Sequence, residues 1–195
     1  MASSHFDVPS NLTLSELNQR FHNRLWKSIT SLAEHKTLIR DKAIRILHHN
    51  VKSLLKKFHF YESLHIMNSC DIFSVSESWL KPSLPDSMID LPGFDVIRCD
   101  RNSKIKVKGG GTALYIKSNI DYKILHHLTT SLSNVCDSSV WVELAGEKSK
   151  PLIIGSIYVT PDSDKTKFLE GLSSILSLPS LLNKHIVIVG DININ

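Results

Sequence analysis

Short apolar runs, rich in Val and Ile, recur along the chain after residue 42 and predict a series of β-strands. The predicted strands cover residues 43–47, 71–76, 94–99, 112–117, 122–128, 139–144, 151–159 and 186–189. Apolar residues spaced three or four apart instead predict helices over 53–67 and 165–176, with Asp162 and Ser163 as capping residues of the second. Strands outnumber helices and several follow one another directly. The pattern therefore indicates an α+β protein with mixed sheets and much antiparallel pairing.

The first 42 residues carry a different pattern, that of an amphipathic helix. Thr13 and Glu16 stand at the spacing of a capping box. The apolar positions recur every three or four residues: Leu14, Leu17, Phe21, Leu25, Ile29 and Leu32. We therefore divide the chain into an N-terminal helical extension, 1–42, and a main domain, 43–195. Two roles stay open for the extension, namely packing on the main domain and pairing with a partner helix.

The composition is that of a globular protein with one sizeable core, since 42% of the 195 residues are hydrophobic and 22% are charged. No apolar run approaches the roughly 18 residues of a membrane span, and the N-terminus lacks the pattern of a secretory signal, so we expect no membrane partner. Three cysteines at wide spacing favour unpaired thiols and an intracellular location, nuclear or cytoplasmic. The net charge of +4 is compatible with a nucleic-acid partner without requiring one.

Five polar residues lie at the carboxyl ends of predicted strands: Asn50, Glu77, Tyr158, Asp191 and Asn193. Ligands of α/β proteins usually bind at this edge of the sheet, so we expect one edge to collect these side chains. Convergent carboxylates suit Mg²⁺, which takes one or two of them together with waters and substrate oxygens. The alternative is a set of isolated caps and solvated turns, such as the turn expected at Gly190.

Several other kinds of site are not supported. The sequence has no H-E-x-x-H or C-x-x-C metal motif, no G-x-x-x-x-G-K-[ST] phosphate loop and no G-x-S-x-G nucleophile elbow. Residues 109–111, all glycine, are interpreted as a hairpin or bulge that enters a strand. Trp79 and Trp141 are interpreted as core residues. His48 and His49 are interpreted as surface or strand-end residues.

Six motifs, in this order, resemble the endonuclease/exonuclease/phosphatase family, and within it the apurinic-type endonuclease domain of non-LTR (LINE-like) retrotransposons. The motifs are N-V-K-S-L (50–54), S-E-S-W-L (76–80), D-R with G-G-G-T-A-L-Y-I (100–101 and 109–116), W-V-E-L (141–144), I-Y-V-T-P (157–161) and V-G-D-I-N-I-N (189–195). Each motif is weak alone, but six in the same order are a strong signal. The resemblance covers about residues 43–195.

The resemblance implies a partial four-layer α/β/β/α sandwich of the DNase I-like type and metal-dependent cleavage of phosphodiester bonds in DNA. It implies that Mg²⁺ or Mn²⁺ is held chiefly by Glu77, with Asn50 assisting at the metal or phosphate. Tyr158 would donate a hydrogen bond to a phosphate oxygen. Asp191 would activate the attacking water, and Asn193 would stabilise the transition state.

The basic segment after the third predicted strand is a candidate DNA contact. Arg101, Lys104, Lys106 and Lys108 would follow the DNA backbone through their charges. A solvated loop is an equally good interpretation of the same residues.

The chain departs from the family pattern, because it has no counterpart of the C-terminal Asp-His pair that follows further strands in the family. We therefore expect an incomplete endonuclease domain that is weakly active or inactive. The alternatives are a non-catalytic remnant that serves as a nucleic-acid or protein binding module, and a family member that acts on RNA or a phosphorylated small molecule. We also expect the inner sheet faces at 112–116 and 152–157 to meet water unless a partner chain completes the sandwich, at a cost on the order of 10 kcal/mol.

Overall fold

A computed structural model describes residues 43–63, 69–101, 109–145 and 150–194. The predicted N-terminal helix at 1–42, the end of the predicted helix at 64–67 and the lysines Lys104, Lys106 and Lys108 lie outside the described residues. Among the described residues, no helix combines the length and the apolar character needed to cross a membrane.

The described chain forms eight strands and three helices. The strands are β1 (Ile46–Asn50), β2 (Ile72–Ser76), β3 (Phe94–Cys99), β4 (Thr112–Lys117), β5 (Tyr122–Ile124), β6 (Ser138–Leu144), β7 (Leu152–Tyr158) and β8 (His185–Asp191). The helices are α1 (Phe58–Ser63), α2 (His126–Leu132) and α3 (Lys165–Leu176), and short 3₁₀ turns occupy Leu55–Lys57 and Asp86–Met88.

The strands form two four-stranded mixed sheets. The first has the order β1-β2-β4-β3 and the second the order β5-β6-β7-β8. Only two of the described strand pairs are parallel, β1 with β2 and β7 with β8, and each pair includes an edge strand of its sheet. The two strands of a parallel pair run in the same direction, so β1 and β2 end side by side at one edge of their sheet, and β7 and β8 do the same in theirs.

The two sheets pack face to face through apolar side chains that alternate along the strands. This inner core is formed by Ile72, Leu114 and Ile116 of the first sheet and by Val140, Val142 and Ile154 of the second. On the outer side of the second sheet, Trp141 and Ile157 pack with residues of α2 and α3, including Leu128 and Phe168. On the outer side of the first sheet, the rings of Tyr61 in α1 and Phe73 lie 5.2 Å apart. The layers follow the order α/β/β/α, which confirms the predicted α+β sandwich.

The expectation that the inner sheet faces meet water is wrong. Leu114, Ile116 and Ile154 are fully buried, because each sheet covers the apolar face of the other. The reason for expecting a partner chain over these faces is thereby removed.

Several predicted elements differ from the structure. The first strand covers Ile46–Asn50 instead of 43–47, and α1 begins at Phe58 instead of 53. The strand predicted over 122–128 ends at Ile124, and α2 follows it. Leu128 and Leu132, four residues apart, are both fully buried beneath the second sheet, so helical packing overrides the strand-like composition. The cap of α3 is Asp164, whose side chain accepts a hydrogen bond from the Lys167 backbone N–H, and not Asp162 or Ser163.

Gly190 is not the turn that the sequence suggested, because β8 continues through it to Asp191. Gly190 pairs with Ile157 of β7 and has a φ of 147°. A Cβ at this position would overlap the Ile157 carbonyl oxygen. Glycine therefore serves close backbone approach here, one residue before a candidate catalytic carboxylate.

An ion-pair cluster closes the opposite end of the first sheet, around Asp71. The Asp71 carboxylate accepts hydrogen bonds from the backbone N and the Nε of Arg45, at 2.9 and 3.1 Å, and from Lys117 Nζ at 3.0 Å. Burial acts to raise the pKa of Asp71, but the hydrogen bonds from Arg45 and Lys117 outweigh it and lower the pKa from 3.8 to about 2.

We expect Asp71→Asn to lower the free energy of unfolding by about 2 kcal/mol at pH 7. The folded-state pKa lies below the unfolded-state value of about 4, so the carboxylate stabilises the fold fully above that value. The contribution disappears as the pH falls through about 2. Urea unfolding between pH 7 and pH 2.5 measures the difference, with the exposed Asp90→Asn as control. A penalty that stays constant on acidification would contradict this account of Asp71.

Candidate active site

The strand ends of both sheets converge at one edge of the sandwich. Asn50 ends β1 opposite Ser76, the last residue of the parallel strand β2, and Glu77 follows directly. Tyr158 ends β7 opposite Asp191, the last residue of the parallel strand β8. The structure thus brings together four of the five predicted site residues from positions more than 140 residues apart in the chain.

The Asn50 amide joins the two carboxylates of the site. Its Nδ2 donates to Glu77 Oε1 at 2.9 Å and to Asp191 Oδ2 at 2.6 Å. Both bonds have a charged acceptor, which makes them stronger than neutral hydrogen bonds. Because Asp191 belongs to the second sheet and Glu77 to the first, one amide fixes the distance between catalytic candidates on different sheets.

Glu77 is held in a backbone conformation that is rare for residues other than glycine. Its φ is 52°, and its carbonyl oxygen accepts a hydrogen bond from the Ser53 backbone N–H at 2.9 Å. The second carboxylate oxygen, Oε2, accepts a hydrogen bond from the indole Nε1 of Trp79 at 3.2 Å. Strained conformations of this kind concentrate at functional sites.

The two tryptophans differ from each other, although the sequence predicted a core role for both. Trp141 is fully buried in the layer between the second sheet and its helices, which confirms the prediction. Trp79 is only half-buried and contacts Glu77 through its indole N–H, so its assignment to the core is wrong.

Tyr158 is 5% exposed and lies within the electrostatic reach of the site. Burial, followed by the negative charge of Glu77, raises the pKa of Tyr158. Asp137 and Asp191 act in the same direction and Arg101 opposes them. The phenol therefore stays protonated at neutral pH and is able to donate a hydrogen bond.

Asn193 lies at the margin of the cluster. Its φ is 51°, and its Nδ2 donates to the Val159 carbonyl oxygen at 2.9 Å. The Val159 backbone N–H in turn donates to the carbonyl oxygen of Asp191 at 3.0 Å. In this structure Asn193 therefore ties the segment after β8 to the segment after β7.

Arg101 is enclosed in an ion pair rather than solvated. Its Nε donates to Asp137 Oδ1, and both side chains are only 8% exposed. Asp137 also accepts a hydrogen bond from the Gly111 backbone N–H at 3.1 Å, and its own backbone N–H donates to the Tyr158 carbonyl oxygen at 3.1 Å. This environment indicates a structural role for Arg101 beside the site, and neither a solvated loop nor a fully accessible DNA contact.

The two histidines of β1 are half-buried strand residues. His48 faces the space between the sheets, where its Nδ1 lies 3.0 Å from Ser74 Oγ, and Ser74 Oγ lies 2.7 Å from Ser156 Oγ of the other sheet. Burial lowers the pKa of His48, with Asp191 opposing it. His49 contacts Tyr61 on the other side of the strand. A polar chain therefore crosses the inner core beneath the site.

The donor set fits a hard divalent cation. Glu77 and Asp191 supply carboxylate oxygens, and the Asn50 Oδ1 is buried and accepts no hydrogen bond from any described residue. Mg²⁺ prefers one or two carboxylates and leaves its other positions to water and substrate. Among the described residues no group of three or more His, Cys, Asp or Glu side chains is placed to hold a metal ion.

Three site-forming contacts were missed from sequence. Trp79 shares a motif with Glu77, and its i+2 spacing from Glu77 was the available signal. The partnership of Arg101 with Asp137 had no signal, since the residues are 36 positions apart. The orientation of His48 toward the space between the sheets was indicated only weakly, because His48 and Asn50 are two residues apart in β1 and therefore lie on the same face of the strand.

The glycine run at 109–111 is restricted in both its backbone conformation and the space around it. All three glycines have positive φ values, and a Cβ on Gly110 would collide with the Arg101–Asp137 ion pair. Gly93 also has a positive φ, of 82°, but a Cβ there would meet nothing within 4 Å. An alanine at position 93 therefore measures the cost of the backbone conformation alone, whereas an alanine at position 110 adds the cost of the collision.

We expect Gly110→Ala to lower the free energy of unfolding by about 3 kcal/mol or more, since it must displace a buried ion pair. Gly93→Ala should cost about 1 kcal/mol through conformation alone. Urea unfolding of both variants checks the comparison. Equal losses in the two variants would show that the ion pair does not restrain the glycine run.

By sequence, neither a family model nor a curated protein matches this chain. By structure, the chain is similar to the endonuclease domain of TRAS1, a telomere-specific non-LTR retrotransposon, with a TM-score of 0.55 and 17% identity over 78% of this chain and 61% of that one. It is also similar to the 3′ phosphatase NExo from Neisseria bound to a product DNA hairpin, with a TM-score of 0.55 and 18% identity over 78% and 58%. An AP endonuclease from Archaeoglobus fulgidus gives a TM-score of 0.54 and 19% identity over 78% and 58%.

The chain thus spans about three-fifths of the length of these solved structures. At this level of identity the similarity defines the fold. The two face-to-face mixed sheets with outer helices are the fold that this chain shares with these solved structures.

Proposed function

We propose that this chain belongs to a metal-dependent phosphodiesterase, a DNA endonuclease domain derived from a non-LTR retrotransposon. The observation that carries the proposal is the Asn50 amide, which holds the carboxylates of Glu77 and Asp191 at one strand-end edge. Two carboxylates separated by an amide are an arrangement suited to a hard cation beside a phosphate. The six ordered motifs and the shared fold with nucleases support the same function.

Each residue of the site has a proposed role. Glu77, with Asn50 assisting, would hold Mg²⁺ or Mn²⁺, which when bound supplies positive charge that polarises the phosphate. Asp191 accepts the proton of the attacking water, and its hydrogen bond to Asn50 fixes the orientation of its carboxylate. Tyr158, kept protonated by its surroundings, donates a hydrogen bond to a phosphate oxygen.

Asn193 and the basic segment have supporting roles. We assign Asn193 to stabilisation of charge in the transition state, from its place next to the β8 end. Lys104, Lys106 and Lys108 are the proposed contacts to the DNA backbone. Arg101 positions the start of this basic segment through its ion pair with Asp137, instead of following the backbone itself.

DNA is the proposed substrate. The net charge of +4 suits a polyanion, and one of the similar structures is a phosphatase bound to a DNA hairpin. RNA and phosphorylated small molecules are less well supported, because the motifs at 76–80 and 109–116 resemble those of retrotransposon endonucleases.

Mg²⁺ binding is expected to stabilise the folded chain. At about 100 times its Kd, Mg²⁺ would add about 2.7 kcal/mol to the free energy of unfolding, since the unfolded chain lacks the site. Urea unfolding with and without MgCl₂ measures this change for the wild type and for Glu77→Gln. An equal gain in both proteins would place the cation elsewhere.

Plasmid nicking tests the activity directly. We expect slow nicking of supercoiled DNA that requires Mg²⁺ and is lost in Glu77→Ala, because the variant removes the principal cation ligand. Glu170→Ala, which removes an exposed carboxylate of α3, is the matched control and should nick like the wild type. A chain that binds DNA without nicking it in any metal would instead favour the non-catalytic binding module.

A further inference from the structure

We infer that Trp79 is a positioning residue for Glu77, and that its indole N–H fixes the carboxylate in the orientation in which it receives the cation. This inference rests on the proposed function. It assigns a role to a residue whose sequence context suggested only packing.

The hydrogen bonds around Glu77 divide its two carboxylate oxygens between two donors. Asn50 Nδ2 donates to Oε1 at 2.9 Å, and Trp79 Nε1 donates to Oε2 at 3.2 Å. Each carboxylate oxygen has about two acceptor directions, so one donor on each leaves the other direction for a cation. Two donors on different oxygens also fix the plane of the carboxylate, which one donor alone would leave free to rotate.

Backbone hydrogen bonds hold the segment that carries Trp79. Its φ is 56°, and its backbone N–H donates to the Gly110 carbonyl oxygen at 2.9 Å. The neighbouring Ser78 donates its N–H to the Gly111 carbonyl oxygen at 3.1 Å and accepts from the Leu54 N–H at 2.8 Å. Backbone hydrogen bonds therefore connect the segment at 78–79 both to the turn after β1 and to the glycines at 109–111.

The glycine run also lies against the edge of the indole ring. A Cβ on Gly109 would stand 3.8 Å from Trp79 Nε1 and 3.4 Å from Arg101 Nη1. Both distances are ordinary van der Waals contacts, so Gly109 is favoured by its φ of 90° and not by lack of space. The buried Arg101–Asp137 ion pair lies next to the same three glycines, since a Cβ on Gly110 would collide with it.

Trp141 offers an internal comparison. Its Nε1 also donates to a side chain, Ser139 Oγ, at 3.3 Å, but the ring is fully buried among apolar residues and away from the carboxylates. Trp79 is half-buried, and its partner is the proposed cation ligand. Partners that orient a metal ligand typically change metal affinity by about 10- to 100-fold when they are removed.

The hydrogen bond itself is tested without metal by NMR. The chain has three tryptophans and hence three indole N–H resonances, which Trp79→Phe and Trp141→Phe assign. We expect Glu77→Ala to shift the Trp79 resonance and to leave the Trp141 resonance in place. A Trp79 resonance that does not respond to Glu77→Ala overturns the inference, and this readout does not require a Trp79 variant to fold.

The effect on the cation is tested by titrating Mn²⁺ and following the EPR signal of the free ion. We expect Trp79→Phe, which keeps the ring and removes the N–H, to weaken Mn²⁺ binding about 10-fold. Trp141→Phe, the matched control, should bind like the wild type, and thermal unfolding of each variant shows that it is folded.

The outcomes separate the two proposals. If Glu77→Ala abolishes Mn²⁺ binding while Trp79→Phe stays within about twofold of the wild type, only the positioning role of Trp79 is overturned. If the wild type binds no Mn²⁺, the proposed function and the inference that rests on it both fail.

Discussion

One amide group holds the site of this protein together. Asn50 donates from a single Nδ2 to Glu77 of the first sheet and to Asp191 of the second. Without such a donor, two carboxylates at this separation would repel each other in a half-buried environment. The rest of the fold serves to bring these three side chains to the same place and to keep them there.

The sheet topology makes that convergence possible. Each four-stranded sheet has one parallel pair, and the candidate residues end or follow the strands of those pairs. Pairing in parallel places two strand ends side by side, and packing the sheets face to face places the two pairs against each other. The apolar inner core formed by residues such as Ile116 and Val142 fixes this arrangement. Backbone strain is concentrated at the resulting edge, where Glu77, Trp79 and Asn193 all have positive φ values.

Much of this architecture was readable in the sequence, for identifiable reasons. Strands such as the half-buried β3 and the buried β4 carry continuous or alternating apolar residues, and their bounds were predicted correctly. Residues 122–128 were misjudged because Leu125 and Leu128 fit a strand and a helix equally well, and only the buried partner Leu132 decides for the helix. The fold class follows from counting such elements, and errors at their ends do not change it.

The contacts within the site were less predictable, because they depend on relations that no local pattern encodes. The bond from Trp79 to Glu77 joins two residues with positive φ that flank Ser78 in one short turn. The enclosure of Arg101 requires Asp137, which directly precedes β6 of the second sheet. The continuation of β8 through Gly190 requires the close approach of Ile157. Polar residues were thus identified by position, while their partners emerged only from tertiary structure.

The proposed cation site is tested most directly by an anomalous difference map from crystals of the protein grown with MnCl₂. We expect a peak at about 2.1 Å from a Glu77 carboxylate oxygen, within the cluster formed with Asn50 and Asp191. A map with its peaks only at other carboxylates, or with none at this edge of the sandwich, would contradict the claim that these strand ends form a cation site.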